Sequence, residues 1–99
     1  MFTIGTRLHS QVDGGEVIVV RADGVTEPLR CAGLPMTGEA ADGGAVPEDA
    51  PTLLLGKRYE LVDEVLRIEV LVTRPGAGPL SYAGRDLTLR PTKPLPSSD

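Results

Sequence analysis

The side chains able to do metal or nucleophilic chemistry are few: one cysteine, Cys31, and one histidine, His9, in 99 residues. A tetrahedral iron or zinc site takes four thiolate, imidazole or carboxylate ligands. Cys31 and His9 match no established ligand spacing, even with Asp13 or Glu16 added, so the expected roles are a structural thiol and a surface imidazole. The adjacent acids Asp63-Glu64 and Glu48-Asp49 fall in turn or linker sequence, where neighbouring side chains diverge into water. General acid-base work needs a carboxylate held in a pocket with a shifted pKa, and none is expected here. Gly76-Ala77-Gly78 does not lead from a strand into a helix, so it reads as a turn and not as a phosphate cradle. No catalytic or cofactor-binding residue is therefore assigned. An enzyme would need a pocket that collects Arg7, Arg58 or Asp63, with the two arginines as paired anion ligands; solvated strand arginines are the simpler expectation.

The elements that must position these groups belong to one small domain spanning residues 1–99. With Phe2, Tyr59 and Tyr82 as the only aromatics, its core must be aliphatic, and a chain of this size buries only about two-thirds of its unfolded surface. A lone cysteine forms no intramolecular disulfide, so neither usual staple of small domains is expected. The formal net charge of −4 argues against a surface that neutralises phosphates, hence against nucleic acid as a partner. Apolar runs such as Val17 to Val20 fall far short of the roughly 20 residues that span a bilayer, so no membrane segment is expected. The N-terminus lacks the basic start and long apolar stretch of a signal peptide. With an unpaired cysteine, this predicts a cytoplasmic protein.

Residues 37–52 carry Glu39, Asp42, Glu48 and Asp49 without a base, and they read as a solvated linker or loop. The charge is −1 over residues 1–36, −4 over 37–52 and +1 over 53–99. Residues 5–36 laid over 56–87, an offset of 51, give seven identities: Gly5 with Gly56, Arg7 with Arg58, Val19 with Val70, Pro28 with Pro79, Leu29 with Leu80, Ala32 with Ala83 and Gly33 with Gly84. This suggests an internal duplication, with a first β unit over 1–36 and a second over 53–90 packed face to face around one core.

The predicted fold is all-β. Glu16 to Arg21 is a compact β-branched run that ends in an Ala22-Asp23-Gly24 turn, and Pro28 to Cys31 forms the return strand of a hairpin. Lys57 to Val62 and Arg67 to Thr73 follow in the second unit. Tyr59 to Leu71 also fits an amphipathic helix, but its β-branched density favours strands. Leu80 to Tyr82, an Ala83-Gly84-Arg85-Asp86 turn and a last strand Leu87 to Arg90 complete the unit. The tail Pro91 to Asp99 should be extended.

Leu29-Arg30-Cys31-Ala32-Gly33-Leu34-Pro35-Met36, preceded by a Val-rich strand and the Asp23-Gly24 turn, resembles the metal-binding knuckle of the desulforedoxin family and of the desulfoferrodoxin N-terminal domain. That family's strand ends in Leu-Val-Cys-Cys-Gly-x-Pro-Met, and the likeness covers about a third of the chain. It implies two small rubredoxin-knuckle-like β units, as in a symmetric pair, and a four-thiolate iron site. The ligands depart from the pattern: Ala32 replaces the second cysteine of the pair, and Gln11 to Gly15 stand where the upstream Cys-x-x-Cys belongs. In the second copy Tyr82 stands where Cys31 does in the first. The pattern Arg-Cys-x-Gly-x-Pro-Met with a later Gly-Lys-Arg-Tyr, here Gly56 to Tyr59, is also similar to that of small actinobacterial proteins, which implies no activity.

The expected function is that of a non-catalytic accessory or interaction protein, associating with an enzyme or with itself through exposed strand edges, the acidic loop or the proline tail. The alternative is a metal-binding or thiol redox module that uses Cys31 with iron or zinc.

Overall fold

The computed structural model describes residues 3–39 and 50–90; most of the acidic linker and the whole Pro91 to Asp99 tail lie outside them. The described residues contain no helix, and the fold is all-β. The strands are β1 (Arg7–His9), β2 (Glu16–Asp23), β3 (Leu29–Cys31), β4 (Leu34–Pro35), β5 (Arg58–Val62), β6 (Arg67–Arg74), β7 (Leu80–Tyr82), β8 (Arg85–Asp86) and β9 (Thr88–Leu89). They form two antiparallel sheets, one ordered β1-β2-β6-β5-β9 and the other β4-β3-β7-β8.

Alternation along the long strands sets the layering. Val17 and Val19 of β2 and Ile68, Val70 and Val72 of β6 point to one side, and there they meet Leu29, Cys31, Leu80 and Tyr82 from the smaller sheet in a single cluster. Seven of these aliphatic side chains, Val17, Val19, Leu29, Ile68, Val70, Val72 and Leu80, are fully buried. Each such burial stabilises by about 1.5–3 kcal/mol. These contacts, more than the two-residue strands at the margins, hold the layers together. Tyr59 to Leu71 is strand, turn and strand, and its helical reading is excluded.

The long strand of each half forms its hairpin with the strand before it and not with the strand after it: β2 pairs with β1 and β6, whereas β3 pairs with β4 and β7. Both edges of β2 are occupied, and Leu29 and Cys31 need a layer to bury against, so the chain crosses to the opposite sheet. The halves are therefore not two bodies packed face to face. Each half is two hairpins, and every sheet draws on both halves. The expected Ala83 to Asp86 turn contracts to Ala83-Gly84, and Arg85–Asp86 becomes a strand. Ala83 and Gly84 both have positive φ, as do Ala32 and Gly33, the conformation that a two-residue hairpin loop requires.

The strand positions repeat at the offset of 51. β6, β7 and β8 occupy the ranges of β2, β3 and β4 shifted by that number. In both central ladders a residue pairs with its own counterpart, Val19 with Val70 and Arg30 with Ser81. The bridge between His9 and Thr37 matches the pair Glu60 and Thr88. The halves differ in one register: Arg7 faces Ile18, but Arg58 faces Leu71, two places beyond the counterpart Glu69. A two-residue slip keeps every side chain on its own face.

Candidate functional site

Cys31 closes β3 with its side chain directed inward and fully buried. Its Sγ donates to the Ala77 carbonyl at 3.1 Å. Ser10, also fully buried, hydrogen-bonds the thiol and accepts the Val12 N–H through Oγ at 3.2 Å. Asp13 completes the cluster: Oδ1 accepts the Gly15 N–H at 2.9 Å and Oδ2 the Ala77 N–H at 2.7 Å. The turn of residues 10–15 therefore grips a loop from the other half of the chain. That loop is anchored on its far side, where Leu53 donates to the Gly76 carbonyl at 2.8 Å and Gly78 to the Pro51 carbonyl at 2.6 Å. Gly76-Ala77-Gly78 is thus a backbone splice between two segments. A Cβ on Gly76 would lie 2.7 Å from the Gly15 Cα, so the approach of the two backbones requires glycine there.

Burial pushes the Cys31 thiol up; the Ser10 hydrogen bond opposes this, and the Asp13 charge adds to the rise. The thiol stays protonated at neutral pH, the opposite of what a nucleophile or metal ligand needs. His9 lies elsewhere, half-buried on the far face of the larger sheet, with Nε2 3.7 Å from Glu16 Oε2. Among the described residues, no three His, Cys, Asp or Glu side chains gather into a group that could hold a metal ion. Both Asp13 oxygens already accept N–H groups, so the donors present do not fit a tetrahedral iron or zinc centre.

No family model, curated protein or solved structure matches this chain.

Arg7 and Arg58 are not brought together. They sit on β1 and β5, three strand spacings apart, roughly 14 Å, and each lies beside a different glutamate. Asp63 is exposed and pairs with Arg85 at 2.9 Å. The Glu64 N–H, then the Arg85 guanidinium, hold its carboxyl below the usual range, so it is a poor base.

Sequence reasoning missed the outer face of the five-stranded sheet. Glu16 and Glu69 point away from the core yet are only 6% and 8% exposed, because arginines roof them. Glu16 lies 3.6 Å from Arg7 and 3.8 Å from Arg74, and accepts from Thr73 Oγ1 at 2.9 Å. Glu69 accepts from Arg58 Nη1 at 3.1 Å and Arg90 Nη1 at 2.8 Å. Two bulges help to build this face. Thr73 is the extra residue between the pairs Val17–Val72 and Glu16–Arg74, and Val20 the extra residue between Val19–Val70 and Arg21–Glu69. A bulge re-aims the side chains around it, which brings Arg74 over Glu16 and Arg21 beside Glu69. Six of the eight arginines, Arg7, Arg21, Arg58, Arg67, Arg74 and Arg90, thus gather around two buried carboxylates. The period-2 order Arg67, Glu69, Leu71, Thr73 is a visible sequence signal for this face; the bulges that add to it are not.

Proposed function

We propose that this chain is a non-catalytic cytoplasmic interaction protein that meets a protein partner, or a second copy of itself, through the outer face of the five-stranded sheet. The observation that carries this reading is the arginine field over Glu16 and Glu69, with half-buried Ile18, Val20 and Leu71 in its centre. Arginine around an apolar centre is the composition of protein interfaces. The margin strands β4, β8 and β9 are two residues long and β1 three, too short to add a partner strand well, so the face is favoured over the edges. The repeating strand positions support reading the chain as two tandem copies of one desulforedoxin-like unit, whose hairpins are shared between the two sheets.

Capture from native lysate, with the recovered mass measured, tests the reading. The wild-type chain should return a complex, and Leu71→Glu, whose side chain lies on the outer face, should lose it while its circular dichroism is unchanged. Recovery of monomer alone from the wild type overturns it.

A metal or thiol redox role for Cys31 is the second reading, favoured by the convergence of Ser10, Asp13 and Cys31. It would require these groups to give up their present hydrogen bonds. Metal analysis of protein purified without chelators, wild type against Cys31→Ser, decides it: substoichiometric metal in both removes it.

A further inference from the structure

One corner of the arginine face forms an open groove of about 220 Å³ lined by Arg21, Glu60, Val62, Arg67, Glu69 and Arg90. Resting on the interaction reading above and going beyond it, we propose that this groove is a carboxylate-binding notch that takes an acidic protein segment. Charge already spent is separable here from charge still available. Glu69 is neutralised twice over, by Arg58 and Arg90. Arg67 has no ion-pair partner among the described residues, and Arg21 has only Asp23 at 3.6 Å, with both side chains more than half exposed. Such a solvated pair contributes little. Two guanidinium groups therefore line the same groove with most of their donors unused, and the guanidinium fork matches a carboxylate in two parallel hydrogen bonds. Val62, 56% exposed, adds an apolar contact for the stem of an acidic side chain.

The same lining disfavours a nucleic acid. Glu60 and Glu69 interrupt the positive track that a phosphodiester backbone follows. No Phe, Tyr or Trp lines the groove to stack a base. A peptide that offers one carboxylate to Arg21 and Arg67 needs neither a continuous positive track nor a stacking ring.

The test is an NMR titration of the full ¹⁵N-labelled chain with hexaglutamate at low ionic strength, with hexalysine and a uridine hexanucleotide as comparisons. Hexaglutamate should give saturable shifts at the Val62, Arg67 and Glu69 amides and at the Arg21 and Arg67 side-chain N–H groups. Losing one charge-assisted fork should weaken binding by roughly tenfold, about 1.4 kcal/mol; Arg67→Ala tests that, while Arg30→Ala on the other sheet changes nothing. Absence of saturable shifts, equal affinity in Arg67→Ala, or tighter binding of the uridine hexanucleotide overturns the proposal. If hexaglutamate fails while lysate capture still depends on Leu71, only the notch falls; if both fail, the interaction reading falls with it.

Discussion

Cys31 and Tyr82 occupy the same place in β3 and β7, 51 residues apart, and each reaches across to a loop of the other half. Cys31 donates to the carbonyl of Ala77. Tyr82, 4% exposed, accepts through Oη from the N–H groups of Thr26 at 2.7 Å and Glu27 at 3.0 Å. Thr26 is the counterpart of Ala77 at the same offset, so the contact is conserved in position while its chemistry is inverted. The small thiol leaves room for the Ser10 and Asp13 turn to fold in beside it. At the counterparts of those two residues stand Leu61, buried, and Glu64, exposed. One half is sealed by a polar turn and the other by an aromatic ring, which indicates that the scaffold needs this seam closed and tolerates different ways of closing it.

Removing the ring should break the second seam more severely than removing the thiol breaks the first. Tyr82→Ala deletes a large buried side chain and should cost about 3–5 kcal/mol, as aromatic truncations do. Cys31→Ala should cost about 1 kcal/mol. Urea midpoints measured side by side check the ratio; equal losses would mean that the two sites are not interchangeable closures. Tyr82→Phe separates ring from hydroxyl, leaving two N–H groups without their acceptor, at about 1–3 kcal/mol.

The polar seam is tested through the groups that grip the loop. Asp13→Ala removes the acceptor of both the Gly15 and Ala77 N–H groups, and hydrogen bonds to a charged group are worth about 1.5–3 kcal/mol each. A loss near 3 kcal/mol is expected, with faster amide exchange at Ala77. Gly76→Ala forces a Cβ into the Gly15 backbone and should cost about 1–3 kcal/mol by overpacking. Gly14→Ala, where nothing stands within 4 Å, should be close to neutral.

These contrasts show which parts of the molecule were legible in the amino-acid order. β2, β6 and β7 could be read almost to the residue, because β-branched runs with turn residues at their ends have one economical conformation. The offset of 51 was legible at Val19 and Val70, and those two face each other across the central ladder. The pairing of β2 with β1 was not, because a three-residue strand such as Arg7–His9 has too little pattern of its own; its place depends on a ladder with the residues from Glu16 to Ile18. Cys31 stood out by its residue type, but the contacts around it did not. Ser10 and Asp13 look like ordinary turn residues until Ala77, 64 positions beyond Asp13, is folded against them. The arginine face was hidden for a similar reason: an arginine in a strand looks solvated until a bulge and a cross-strand glutamate give it a target.

The two seams should also respond to alkali with opposite sign. Burial holds the folded Cys31 thiol above its ordinary value of 9.0, so the native state keeps a proton that the unfolded chain releases. Stability is full below the ordinary thiol value and falls as pH rises through and above it. Burial also pushes the Tyr82 phenol up, but hydrogen bonds from Thr26 and Glu27 outweigh this and leave it below its ordinary value of 10.0. Its contribution is present above that value and is lost as pH falls through the folded one. Urea midpoints measured from neutral pH to about pH 10 should lose the downward component in Cys31→Ala and steepen in Tyr82→Phe. A slope unchanged by either substitution would show that neither group differs between the folded and unfolded states.

The smallest effect tests whether the halves are alike where the comparison is closest. Ala32 and Ala83 have φ of 52° and 50°, and the hydrogen bonds that close the two loops, Met36 to Leu29 and Leu87 to Leu80, are both 2.8 Å. A left-handed conformation costs an L-residue about 1–2 kcal/mol. Glycine removes that cost but loses roughly 0.5–1 kcal/mol more chain entropy on folding. Ala32→Gly and Ala83→Gly should therefore each stabilise the protein by less than about 1 kcal/mol, and by the same amount. The two hairpins carry different side chains at Cys31 and Tyr82 one residue before the loop, so equal gains would place the local backbone under the control of the turn alone. Unequal gains, measured as a difference in thermal midpoint, would show that the thiol and phenol seams feed strain back into the loops beside them.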